Sequence, residues 1–298
     1  MIDPRTTTLP LVSVLVATYQ HAACIEECIK GILMQQLDFQ VEILIGEDES
    51  TDGTRQITQR LAAEHPGIIR LFLNNRSDVI HIMGRPTGRA NLLHLMNEAK
   101  GKYIALCEGD DYWTDPLKLQ KQVDFLEGHP LYSMCFHRAM LKIGNELEPH
   151  PIPTNVNLDE VQMVDLFETA NFIATASVVY RNQLMPMPNW FAKIPFADLG
   201  LHLLNSRTGR MKCLDEFMAV YRINEQGSWS SLRKVEQQRS KLLFFKMIFP
   251  LLNPAEKKVL ARKHDELIDS IAHIRYPYNP RRKRFYKIYL KYTFRLRT

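Results

Sequence analysis

Apolar and polar positions follow two rhythms along the first half of the chain. Leu11-Val-Ser-Val-Leu-Val-Ala17 is an almost continuous apolar run, the pattern of a strand buried on both faces. A polar turn, Thr18-Tyr-Gln-His21, leads into a helical stripe over 22–36, with Ala22, Ile25, Cys28, Ile29, Ile32 and Leu33 on one side. The alternation then repeats. A strand over Val41–Gly46 precedes a helix from about 54 to 65, opened by Thr51-Asp-Gly-Thr54. A strand over 68–73, a helix near 90–99 and a strand over 103–107 follow, and Pro116 begins a helix running through Leu126. Strands alternating with amphipathic helices predict a parallel sheet with right-handed crossovers.

The second half is less regular. Residues 144–157 are rich in Pro and Asn and read as a loop, followed by a helix near 158–168 and a strand near 175–180. A Pro-rich loop over 185–195 reads as either a mobile acceptor-binding lid or a surface connection. A helix over 197–206, a strand over 213–221 and a helical pattern from Ser231 to about Ile274, broken at Asn253-Pro254, complete the body. No internal repeat or low-complexity segment interrupts it.

With 298 residues and 45% hydrophobic content, the chain suits one large domain or a core domain with an extension. Five scattered cysteines, an odd number, fit reduced thiols in the cytoplasm rather than a disulfide framework. Cys24 and Cys28 share a helix face, but no second Cys/His pair lies at zinc-ligand spacing, so buried thiols are expected. The N-terminus lacks a signal-peptide apolar core, and no run of about 18 apolar residues occurs to span a bilayer.

Charge is unevenly placed. The formal +5 divides into a body, 1–274, at −4 and a tail, 275–298, with nine Lys/Arg and no acid. The acidic body argues against a nucleic-acid-binding face. In the tail, Phe285, Ile288, Tyr289, Tyr292 and Leu296 fall near one helical face among the basic residues. Two readings stand: an interfacial helix on anionic lipid, or a solvated helix packing its aromatics on the body. RNA binding has no supporting fold.

The candidate chemistry sits at strand ends. After Tyr103-Ile-Ala-Leu-Cys107 come Glu108, Gly109, Asp110, Asp111, Tyr112, Trp113, Thr114, Asp115 and Pro116. Clustered carboxylates repel one another in a core, but they can hold a divalent cation against a diphosphate. Thr18-Tyr19 and Glu47-Asp48 end two other strands, and ligands of such sheets bind at the carboxyl ends. That coincidence points to a nucleotide-type site without naming the nucleotide. Oxygen ligands favour Mg²⁺ or Mn²⁺ over zinc.

Four segments in order carry a family resemblance: Val12-Ser-Val-Leu-Val-Ala-Thr-Tyr19, Gly46-Glu-Asp-Glu-Ser-Thr-Asp-Gly-Thr54, Gly101 to Pro116, and Tyr221-Arg-Ile-Asn-Glu-Gln-Gly-Ser-Trp-Ser230. Together, over roughly residues 10–230, they resemble family 2 glycosyltransferases of the GT-A fold. The resemblance implies a Rossmann-like mixed, mostly parallel sheet flanked by helices, a catalytic domain over 1–230, and a helical extension over 231–298. It also implies inverting transfer of a sugar from a nucleotide-diphosphate donor, a UDP-sugar first among candidates. The acceptor is a glycan or lipid-linked hydroxyl, in surface polysaccharide synthesis such as lipopolysaccharide, capsule or exopolysaccharide. Missing processive-synthase features favour single-sugar transfer, with the protein cytoplasmic or peripheral on the inner face of the membrane.

By position, Thr18, Tyr19, Glu47, Asp48, Arg89 and Asn91 are placed on the donor nucleotide. Glu108-Gly109-Asp110 occupies the family's metal motif, with Asp110 foremost and Glu108 second as ligand. Asp111, Trp113 and Arg222 are assigned to the same donor site. Packing remains the alternative for Trp113, and a structural ion pair the alternative for Arg222. Asp198, at the start of a helix, occupies the catalytic-base position, and His202 one turn on either orients it or is a helix-surface histidine. Glu108 replaces the family's first Asp, and Asn224 stands where the family usually carries His. The rivals are a nucleotidyltransferase, disfavoured because Ala17–His21 lacks a Gly-rich phosphate loop, and a non-catalytic binding module.

Overall fold

The computed structural model describes residues 9–169, 171–223 and 232–296. The first half runs β1 (Val12–Thr18), α1 (Ile25–Leu33), β2 (Val41–Glu47), α2 (Thr54–Glu64), β3 (Ile69–Leu73), a small hairpin of β4 (His81–Ile82) and β5 (Arg85–Pro86), α3 (Arg89–Glu98), β6 (Tyr103–Leu106), β7 (Tyr112–Trp113) and α4 (Lys118–Gly128). The second half runs β8 (Tyr132–Ile143), β9 (Glu146–Pro149), α5 (Met163–Glu168), β10 (Val179–Arg181), α6 (Ala197–Thr208), β11 (Arg210–Arg222), α7 (Lys234–Ile248), α8 (Pro254–Arg275) and α9 (Pro280–Thr293).

The main sheet has the order β3-β2-β1-β6-β10-β8-β11-β7, with β9 on the flank of β8. From β3 to β6 every pairing is parallel, as the apolar runs predict. Beyond β6 the sheet becomes mixed, as the family resemblance implies. β10 runs antiparallel to both β6 and β8, while β11 runs parallel to β8 and antiparallel to β7. Two apolar layers cover the faces, one around Ile25, Ile29, Ile43 and Trp113, the other around Leu95, Phe136, Phe191 and Phe244.

Local corrections have local causes. Residues 146–149, expected in a loop, form β9, because Gly144 turns the chain at φ +59° into a hairpin with β8. The helix expected over 158–168 begins only at Met163, where Gln162 and Asp165 close a reciprocal cap. The strand expected over 175–180 opens as a 3₁₀ turn, Thr175–Ser177, before β10. All five cysteines are free thiols. Among the described residues, no helix is long and apolar enough to cross a membrane.

Candidate active site at the carboxyl ends of the strands

β6 delivers the acidic loop, and neighbouring strands hold it in place. The Cys107 and Gly109 amides donate to the carbonyls of Leu15 and Ala17 on β1, at 3.1 Å each. Gly109 packs so closely that a Cβ there would lie 2.6 Å from Thr18 Oγ1 and 2.8 Å from His21 Nδ1. The loop therefore requires glycine on space alone. Carboxylate oxygens of Glu108, Asp110 and Asp111 come within 4.8 Å of one another.

Asp111 is buried; its Oδ1 accepts the Arg222 amide at 2.9 Å, and its Oδ2 has no partner. Burial pushes the Asp111 carboxyl well up, and the neighbouring Asp110 and Glu108 charges push it further. The Glu108 side chain opens to cleft water but is walled in by protein, and this raises its carboxyl too, helped by the charges of Asp110 and Asp198. Among the described residues, the basic side chain within ion-pair distance of these carboxylates is His21, whose Nε2 lies 3.8 Å from Asp110 Oδ2. Three converging hard oxygen donors, one of them buried and unpartnered, fit a divalent cation.

Arg222 braces this loop from behind. Its guanidinium donates to the Asp110 carbonyl and to Glu27, and stacks 4.4 Å over the Tyr112 ring. Trp113 also sits behind the site: it is buried, its indole N–H donates to the Ala176 carbonyl at 2.8 Å, and Lys118 Nζ lies 3.9 Å over its ring.

The ends of β1 and β2 form an adjoining groove. Thr18 is buried with its hydroxyl 3.2 Å from His21 Nδ1, while Tyr19 is exposed under the Arg76 guanidinium, 3.9 Å from its ring centre. Arg76 also reaches to 3.5 Å from Asp48. Burial raises the Asp48 carboxyl, with Arg76 opposing. Glu47 is fully buried; it accepts from the Ser50 amide at 2.6 Å and pairs with Arg55. Gln20 and Glu49, beside these strand ends, hold φ of +58°, a strained conformation of the kind that gathers at ligand sites. Asn91 donates to the Gly46 carbonyl at 2.7 Å and so fixes the end of β2.

On the other side of Glu108 opens a cavity of about 1050 Å³. Its walls include Glu108, Asp198, Tyr221 and the inner faces of α5, α7 and α8. Asp198 stands in the first turn of α6, where the helix dipole favours negative charge. Asn171 Nδ2 donates to its Oδ2 at 2.6 Å, which sets the direction of the carboxylate. Arg89 is buried and donates to the carbonyls of Phe191 and of Ile194, the latter at 3.2 Å. Burial lowers its pKa to about 10, opposed by Asp198. His202 is not on the helix surface: it is 1% exposed, and neither ring nitrogen has a partner. Burial pushes its pKa down to about 4, against the pull of Asp198, so the ring is neutral at physiological pH.

Asn171 and Arg76 escape sequence reasoning. Each is a lone polar residue in a connection, outside any of the four motifs. Asn224–Ser230, which end the last motif, lie outside the described residues.

A mixed sheet of this order, with carboxylates gathered at its strand ends beside a deep cleft, has the architecture of the GT-A fold. The sequence model of glycosyl transferase family 2 matches residues 13–185, and the chain belongs to that family. An uncharacterized protein of Mycobacterium tuberculosis is 37% identical over 225 residues, 74% of this chain and 60% of its own. The chain thus spans about 60% of the length of that relative. TuaG of Bacillus subtilis, described as a putative teichuronic acid biosynthesis glycosyltransferase, is 27% identical over 263 residues, 85% of this chain and 98% of its own. The crystal structure of Staphylococcus aureus TarS 1–349 with UDP-GlcNAc shares the fold at 16% identity, with a TM-score of 0.62 over 95% of this chain and 90% of that one.

Proposed function

We propose that the chain transfers one sugar from a nucleotide-diphosphate sugar, with a UDP-sugar the first candidate, to a hydroxyl of a glycan or lipid-linked acceptor, inverting the anomeric centre. One observation carries the reading: Glu108, the first carboxylate of the acidic loop, and Asp198 line one cleft, close enough that Asp198 raises the Glu108 carboxyl. Residues 1–230 form the catalytic unit in this reading, and the extension over 231–298 closes the acceptor side.

Each residue then has a task. Tyr19, Asp48 and Arg76 receive base and ribose in the groove at the β1 and β2 ends, with Thr18 and Glu47 shaping it. Asp110 and Glu108, backed by Asp111, would hold Mn²⁺ or Mg²⁺. When bound, that ion neutralises charge gathering on the leaving diphosphate. Asp198 sits across the cleft, oriented by Asn171, and takes the proton from the attacking acceptor hydroxyl. Because base and diphosphate lie on opposite sides of the sugar, attack comes from the rear and the centre inverts. The neutral, buried His202 keeps its neighbour dry rather than sharing its proton.

The cavity beyond Asp198 is the acceptor side. The likeness to TuaG, a putative teichuronic acid biosynthesis glycosyltransferase, supports a glycan product, and we place the reaction in surface polysaccharide synthesis at the inner face of the membrane.

Asp198→Asn tests the base. Transfer should fall by about 10²–10⁴-fold while donor binding, measured calorimetrically, persists. Near-wild-type transfer by that variant removes Asp198 from the role. A thermal-shift panel of nucleotide sugars with and without Mn²⁺ tests the donor site, with stabilisation of about 2.7 kcal/mol at a hundredfold excess over Kd. Silence across the whole panel overturns the donor assignment.

A further inference from the structure

Helix α9 carries two different apolar faces. The inner one packs on the body: Leu290, with Phe294 just past the helix end, joins Leu242, Ile268 and Ile271, and Tyr286 packs against them. Polar ties hold it there. Lys287 and Lys291 pair with Asp269 and Asp265 of α8 at 2.6 and 3.2 Å, and Lys246 donates to the Thr293 carbonyl at 2.9 Å.

The outer face has no such cover. Phe285 is 74% exposed, Ile288 58%, Tyr289 51% and Tyr292 83%, and Tyr278 just ahead of the helix is 97% exposed. At about 100° per residue, the four helix positions fall within an arc of about 100°. Arg281, Arg282, Arg284 and Arg295 surround them, and none pairs with an acid among the described residues. A groove of about 490 Å³ between α8 and α9, bordered by Ile288, Lys291, Tyr292 and Arg295, opens beside the stripe.

The packing reading of the tail thus holds for the inner face only, and the outer face is left exposed. An exposed aromatic stripe of this kind marks an interaction site. Its ring of unpaired guanidiniums selects the partner by charge. A second copy of the same face would bring two sets of arginines together. An acidic lipid surface instead offers phosphates to the arginines and an apolar boundary to Phe285 and Ile288, with tyrosines at headgroup depth. We infer that α9 docks its outer face on an anionic phospholipid bilayer. Helix α8 lies between this face and the reaction cleft: Asp265 and Asp269 meet α9, whereas Leu267 and Ser270 line the cavity. A docked α9 thus holds the acceptor side one helix away from the lipid.

The test needs neither donor nor acceptor, so it stands apart from the assigned reaction. The full chain is sedimented with vesicles of phosphatidylcholine alone or mixed with phosphatidylglycerol. Binding is expected only to the mixed vesicles, weakening as salt rises. The R281Q/R284Q pair should partition roughly thirtyfold more weakly, at about 1 kcal/mol per charge. F285S/Y292S should also bind poorly while melting at the wild-type temperature. Three results would overturn the inference: no binding to mixed vesicles, binding untouched by both variants, or a dimer in sedimentation that F285S/Y292S dissolves.

Discussion

Arg89 offers a prediction whose size can be worked from the structure. It opens α3, is 4% exposed, and holds the carbonyls of Phe191 and Ile194, with its guanidinium carbon 4.8 Å over the Phe191 ring. Those carbonyls belong to the turn that leads through Pro195 into α6 and Asp198. Arg89→Met keeps the aliphatic stem on Phe191 but removes both donors. A hydrogen bond from a charged group contributes about 1.5–3 kcal/mol, so losing two costs about 3 kcal/mol even if the turn relaxes part-way. With an unfolding entropy of about 2.1 cal/mol/K per residue, a chain of this size should melt about 5 °C lower.

The functional effect should exceed the thermal one. A base displaced by about 1 Å can lose about a hundredfold in rate. Calorimetric melting, steady-state transfer and donor titration separate the possibilities. The expected result is a lower kcat with an unchanged donor Kd. Loss of donor affinity with kcat intact would show that Arg89 serves the nucleotide directly. An unshifted melt with full activity would refute the positioning argument outright.

Two further predictions concern titration. His202 has a folded pKa of about 4 against an ordinary value of about 6.5, so the unfolded chain binds more protons in that window and stability falls as pH drops through it. His202→Leu should flatten that acid-side loss in a melting series and leave the pH–rate profile near neutrality unmoved; a displaced profile would give the imidazole a proton-transfer role. Glu108 and Asp111 are raised by burial and mutual repulsion, so in metal-free protein these two groups contribute a loss of stability as pH climbs from about 5 to neutrality, opposing the His202 contribution where the two windows overlap. Mn²⁺ should cancel that slope, and a slope identical with and without Mn²⁺ would show that the acidic loop binds no cation.

The sheet from β3 to β6 was legible because a strand buried on both faces needs an unbroken apolar run, and Val12–Ala17 and Val41–Gly46 supply one. The acidic cluster was legible for the opposite reason: Glu108, Asp110 and Asp111 make no sense as core. β8 and β9 were missed. In β8 the buried Ser133 and His137 interrupt the apolar pattern, and β9 is wholly exposed. Neither the orientation of Asp198 by Asn171 nor the brace from Arg89 to Phe191 shows in sequence, since their partners lie 27 and 102 residues apart. Arg222 illustrates the same limit, because its backbone and side chain serve the acidic loop from a strand 111 residues downstream.

The placement of positive charge supports the proposed cation site. Arg55 is bound to Glu47, Arg76 to Asp48, Arg89 to two carbonyls and Lys118 to Gln122. Arg222 touches the acidic loop through a carbonyl and a backbone amide, with its guanidinium drawn toward Glu27. These groups are thus held by other side chains or by backbone carbonyls, and among the described residues only His21 comes within ion-pair distance of the three carboxylates. A fold that merely needed this loop to be stable would have turned one of those arginines inward. While Glu108 and Asp111 are ionised the loop repels itself; protonation or a bound cation relieves that repulsion, and Asp111 Oδ2 is buried without a donor. The instability is local because β1 and β6 clamp the backbone on either side. β1 holds the loop through the Leu15 and Ala17 carbonyls, whereas Asn171 orients Asp198, so in the proposed reaction the metal loop and the base are positioned by separate contacts.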